Sequence, residues 1–152
     1  MISINIVCVG NLKEKFWQEA SKEYEKRLSK FSKLKIIEIE EQNKYKEIDK
    51  IIEIEGKKIL EHLEGKCFLL DIEGKEYKSE ELSQKIISES LTSSVLTFVI
   101  GGSYGVSQEV KQKINNKISF GKATYPHNLA RIILLEQIYR SFMIDSGAKY
   151  HK

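Results

Sequence analysis

The stretch VLTFVIGGSYGVSQEV, Val95 to Val110, decides the fold. Val95 to Ile100 is apolar but for Thr97, the pattern of a strand buried on both faces, which parallel sheets require. Paired glycines then break the run, and Ser107 stands where a helix N-cap belongs, ahead of a helix expected through Lys113. A strand, a glycine turn and a helix form half of a βαβ unit.

Working outward, the same alternation recurs. Ile2 to Val9 reads as a strand ending at Gly10, and Phe16, Trp17, Ala20, Tyr24, Leu28 and Phe31 follow at helical spacing. Leu34 to Glu40 is a second strand, and Ile48, Ile51, Ile52, Ile59 and Leu63 mark a second helix, weakened by Gly56. Cys67 to Ile72 is a further buried strand closed by Glu73 and Gly74, and Ser79 is the expected cap of the helix after it. Ile118 to Phe120 makes a last short strand, and Leu129 to Asp145 a long closing helix. These residues predict one α/β domain over residues 1–152, a mostly parallel sheet with helices on both faces. On their own they point to an unknotted doubly wound sheet, because knots are rare.

Length and charge narrow the function classes. A chain of 152 residues buries a core without disulfide or metal staples, and Cys8 and Cys67, each inside an apolar run, are expected to be buried thiols. The amino terminus, MISINIVCVG, has neither a basic leader nor a membrane-length apolar run, so the expected location is the cytoplasm, with no membrane partner. Residues 1–121 balance 20 Lys and Arg against 20 Asp and Glu, whereas residues 122–152 hold 5 against 2. Lys122, Arg131, Arg140, Lys149 and Lys152, with His127 and His151, therefore form either a patch that favours phosphate or a polyanion, or simply a solvated tail with a few cations.

In open α/β sheets ligands collect at the carboxyl ends of strands. Three loops leave such ends, after Asp71 and Ile72, after Ile100 and after Phe120. Gly101 to Gly105 offers either bare N–H groups to a ligand or a tight turn requiring positive φ. Asp71 is either a ligand acceptor or the cap of its own turn. Pro126 drives Tyr125 toward an extended backbone, so Phe120 to Tyr125 presents backbone groups to a flat heterocycle, or else simply leads into a helix capped by Asn128. The chain contains no GxGxxG after a strand and no GxxxxGK[ST], and the turn Gly10 to Lys13 is poor in phosphate-binding features, which weighs against a flavodoxin-like nucleotide regulator. Ile132, Ile133, Leu135, Tyr139, Phe142 and Met143 give the closing helix an apolar surface for a core or a partner helix; Glu136 and Arg140 are spaced to pair.

Several of these stretches together resemble one family. LLDIEGK (Leu69 to Lys75), IGGSYG (Ile100 to Gly105), SFGKATYPHNLARIILLEQIYR (Ser119 to Arg140) and the terminal YHK, with IVCVGNLKEKFW and EYEKRL near the amino terminus, are similar to the large-subunit ribosomal RNA pseudouridine N3-methyltransferases, the RlmH type of the SPOUT superfamily. The resemblance implies a carboxyl-terminal trefoil knot, an S-adenosyl-L-methionine cofactor, a homodimer, and action on 23S ribosomal RNA in the assembled ribosome without a metal. Carried over by position, it implies a cofactor pocket of Leu70, Gly101, Phe120, Gly121, Lys122, Ala123, Thr124 and Tyr125. It likewise implies catalytic or RNA-facing roles for Arg140, Tyr150 and His151, with Lys152 beside them. Tyr104 departs from the smaller or polar residue that family members carry there. The rival readings are a SPOUT methyltransferase acting on tRNA and a non-catalytic ribosome-binding factor.

Overall fold

Central strands buried on both faces build two cores. In the computed structural model, which describes residues 1–152, the first strand β1 (Ile2–Val9) and its neighbours turn successive side chains to opposite faces of one sheet. The elements follow as α1 (Lys15–Leu28), β2 (Ser32–Ile39), α2 (Ile48–Glu61), β3 (Lys66–Glu76), α3 (Ser79–Thr92), β4 (Val95–Ile100), α4 (Gln108–Lys113), β5 (Asn116–Ser119) and α5 (His127–Asp145). The sheet order is β2-β1-β4-β3-β5, and every pairing is parallel. Ile4, Ile6, Leu96 and Phe98 face α1, α3 and α5 in the larger core, which Leu134, Leu135, Ile138 and Phe142 of α5 complete. Val7, Val9, Val99 and Leu69 face α2 and α4 in the smaller one, against Ile59 and Val110. Phe68 and Phe98, both fully buried, stack at 4.8 Å between ring centroids in the larger core.

The expected architecture is present, with local corrections. β3 runs on through the expected turn at Glu73 and Gly74 because its ladder with β5 slips, Ile118 pairing first with Leu70 and then with Lys75. Gly74 allows that excursion, since a Cβ there would lie 2.7 Å from the backbone of Lys117. The cap of α3 is Lys78 rather than Ser79: its N–H donates to the Glu81 carboxylate at 3.1 Å, while the Ser79 hydroxyl donates to Gln137 on α5. α5 begins at His127, so Asn128 does not cap it; Pro126 occupies that position, its fixed φ suited to helix entry. Cys8 is buried but Cys67 is only half-buried, because it lies near the amino-terminal edge of β3, where its thiol reaches the carbonyl of Glu64 at 3.7 Å. Gly56, the expected weak point of α2, is explained by packing: a Cβ there would sit 2.5 Å from the Ser107 hydroxyl.

Candidate active site

The three loops predicted to converge do so. β3, β4 and β5 end side by side, and their loops enclose a cleft of about 740 Å³, within the usual range for small-molecule sites. Leu70, Gly101, Phe120, Gly121, Ala123, Thr124 and Tyr125 line it; Lys122 is exposed beside them and does not reach its wall.

Two different reasons account for the glycines. Gly101 yields its side chain to the turn itself, because a Cβ would lie 2.6 Å from Val106 Cγ1, and Gly102 yields to Val9 and Glu55, each 3.0 Å away. Gly105 and Gly121 have open space but φ of 84° and 110°, a backbone region that side chains disfavour. The glycine turn is thus a shaped wall. Gly101 to Tyr104 also leave their N–H groups without a partner within the chain, as do Lys122 to Tyr125 on the facing loop, where Gly121 N–H bonds only the Ser119 hydroxyl. The latter groups form a strand-like edge along the cleft. The residues therefore fit a ligand with a flat heterocyclic acceptor, and Asp71, which lines the cleft, also caps its own turn, one carboxylate oxygen accepting the Glu73 N–H at 3.0 Å.

Helix α2 braces this wall, a role the sequence reading missed. Glu55 is 2% exposed; one carboxylate oxygen accepts the Gln42 N–H at 2.9 Å and the other faces Gly102. Burial raises its pKa, and the charge of Glu41 adds to the effect. Glu41 in turn accepts a hydrogen bond from Ser103 at 2.8 Å, so residues 41 and 42 tie α2 to the glycine turn.

The cationic patch forms only in part. Arg131 is 3% exposed, donating to Glu38 at 2.8 Å and to the Gly10 carbonyl at 3.1 Å, which removes it from the surface. Its position one turn before Leu134 and Leu135, on the core face of α5, is the sequence signal that it points inward. The arginine pins the start of α5 to the ends of β1 and β2, and His127 lies over Gly10, 3.0 Å from where a Cβ there would be. Beneath it, burial pushes the Cys8 thiol up to about 11 despite the nearby guanidinium, so that sulfur is unreactive.

At the far end of α5 the tail is docked, and Arg140, Tyr150 and His151 are brought together. Arg140 pairs with Glu136 at 2.6 Å and donates to His151 Nδ1 at 3.0 Å, and its guanidinium covers the Tyr150 ring at 4.7 Å. Tyr150 donates to Glu136 at 3.2 Å; burial, followed by the Glu136 charge, raises its pKa and keeps the phenol protonated. His151 Nε2 lies 2.8 Å from Glu80, and with Nδ1 accepting from Arg140 the ring proton belongs on Nε2. This hydrogen bond is the main reason that the Glu80 carboxyl lies below its usual pKa. From His127, at the cleft, to Arg140 the helix rises about 20 Å, and none of Arg140, Tyr150 and His151 lines the cleft. No three His, Cys, Asp or Glu side chains stand close enough to hold a metal ion, and no helix is long and apolar enough to cross a membrane.

Comparison with known proteins agrees with this geometry. Residues 2–151 match the family model described as "Predicted SPOUT methyltransferase". The ribosomal RNA large subunit methyltransferase H of Lactobacillus acidophilus is 45% identical, the match covering 99% of this chain and 100% of that protein. The protein of the same name from Caldicellulosiruptor saccharolyticus is 43% identical over 98% of this chain and 99% of its own. Among solved structures, a methylase family protein from Haemophilus influenzae superposes with a TM-score of 0.54 at 8% identity, covering 96% of this chain and 67% of that one, a likeness of fold alone. The chain therefore belongs to the SPOUT methyltransferases, in the ribosomal RNA large subunit methyltransferase H family, enzymes whose methyl donor is S-adenosyl-L-methionine.

Proposed function

We propose that this methyltransferase acts on N3 of a pseudouridine in 23S ribosomal RNA, on the assembled ribosome, and that it does so as a homodimer. The observation that carries the reading is the division of labour along α5, with a backbone-lined cleft at one end and a docked cluster of Arg140, Tyr150 and His151 at the other. Two copies arranged so that one tail closes over the other's cleft would join these parts. The half-buried apolar side chains Ile132, Ile133 and Met143 of α5 supply surface for that contact. The family's trefoil knot belongs to the same reading, supported by the convergence of the loops after β3, β4 and β5.

When bound, S-adenosyl-L-methionine supplies an electrophilic methyl on a sulfonium. The backbone edge from Gly121 to Tyr125 would hold its heterocycle, and the wall at Leu70 and Gly101 would orient its methyl group toward the RNA. Arg140 contributes a permanent positive charge where the N3 imide becomes anionic. His151 accepts the N3 proton on Nδ1 once Arg140 turns from the ring to the RNA, and Tyr150, held neutral, donates a hydrogen bond. Lys152 and Lys149 add phosphate contacts, a modest set suited to a substrate recognised largely by shape.

The test is radiolabelled methyl transfer to ribosomes lacking the modification, beside isolated large subunits and bulk tRNA. Label on assembled ribosomes, mapped to the pseudouridine, is the expected result. Label on tRNA alone would leave the methyltransferase standing and overturn the substrate, and absence of both transfer and donor binding would point to a non-catalytic ribosome-binding factor.

A further inference from the structure

The chain has three arginines, and their partners differ. Arg131 is consumed in the core by Glu38 and Gly10, and Arg140 by Glu136 and His151. Arg27, in the last turn of α1, bonds only through Nε, to Glu23 at 3.0 Å, and both of its terminal amino groups lack a partner within the chain. It is also held in place. The guanidinium lies 5.3 Å from the Tyr24 ring centre and 5.7 Å from that of Tyr139. Tyr139 meets Tyr150 edge-on at 4.9 Å, and Arg140 covers the other part of Tyr150. A single row therefore runs Arg27, Tyr139, Tyr150, Arg140, from α1 across α5 into the docked tail.

We propose that Arg27 is an RNA-contacting residue, and that the substrate surface assigned to the tail extends across it onto α1. A guanidinium laid over aromatic rings keeps its N–H edges directed outward, and two free amino groups in one plane match two oxygens of a phosphate. Its side chain retains 38% of its exposure, enough to be reached. The single ion pair with Glu23, itself 52% exposed, is of the surface kind that a phosphate readily displaces. Simple stapling of α1 to α5 accounts for the ring contacts but leaves the outward donors without a role.

The proposal rests on the ribosomal RNA reading, and its test separates the two. Wild type, Arg27→Gln and Arg27→Lys are assayed for methyl transfer to ribosomes at several salt concentrations, with donor affinity, sedimentation and melting temperature measured alongside. Arg27→Gln is expected to raise the ribosome KM about tenfold with kcat little changed, and to lower the slope of log KM against log salt by about 0.7 to 0.9. Arg27→Lys should restore the salt slope but not the full affinity, because it keeps the charge and loses the fork. Donor affinity and dimer mass should not move. An unchanged KM and salt slope in Arg27→Gln, or a loss accounted for by weaker donor binding or dissociation, would overturn the proposal. Were wild type active on tRNA alone, the ribosomal reading would fall and the same salt slope, measured on tRNA, would still decide the arginine.

Discussion

The two ends of α5 are built from different materials. At His127 the chain offers a cleft walled by glycines and a loop of unpartnered backbone groups; at Arg140 it offers side chains, each already engaged by another. Backbone makes a site whose shape depends on what every residue leaves out. Side chains make a site that can exchange one partner for another, as docking onto a macromolecule requires. The first is suited to holding a small donor in one pose, the second to accepting a macromolecule and moving a proton.

The sharpest way to break this comparison is to damage each end separately. Gly101→Trp places a ring where Val106 and the backbone of Gly105 already lie within 2.6 and 3.2 Å of a Cβ, so donor binding should fall by at least about a hundredfold in calorimetry. Deleting Tyr150 to Lys152 should abolish methyl transfer in the radiolabel assay while donor affinity stays within twofold of wild type. Equal loss of donor affinity in both variants would mean that the tail shapes the cleft of its own chain, and the division along α5 would be wrong.

These ends were not equally legible. The strand and glycine-turn pattern at Val95 to Val110 is a local signal, and the sheet, the layering and the convergence of three loops followed from it. The use of the glycines was legible only in part, because Gly101 and Gly102 are dictated by Val106, Val9 and Glu55, neighbours that only the folded chain brings near. In the tail cluster only the Glu136–Arg140 pair was legible from spacing: Glu80 and His151 meet across 71 residues, and it was resemblance that singled out YHK. Arg131 shows the opposite error, since counting charges placed it on the surface while its periodicity with Leu134, Leu135 and Ile138 already placed it inside.

Arg131 anchors only the cleft end of α5, which gives a prediction of intermediate size. Arg131→Met keeps much of the apolar stem but leaves the Gly10 carbonyl without its donor and Glu38 without its partner; we expect a stability loss of about 2 kcal/mol by urea unfolding. The donor site should weaken more than the tail, because the anchored turn is the one carrying His127. A variant with full stability and full donor affinity would show that α5 needs no anchor at its cleft end.

The smallest effect concerns how the tail is held. The Glu80 carboxyl lies below its ordinary value of 4.5, first because His151 hydrogen-bonds it. A depressed carboxyl stabilises the fold above that ordinary value and loses the contribution as pH falls through the lower folded one. Docking should therefore be intact at neutral pH and slacken below about 4.5, visible as exposure of Tyr150 in its fluorescence or in hydrogen exchange at the chain end. Glu80→Gln should flatten that acid limb and leave the cleft's donor affinity unchanged. If the acid limb persisted in the variant, the docking would depend on Glu136, through Arg140 and Tyr150, rather than on the histidine, and the tail would be clamped from α5 alone.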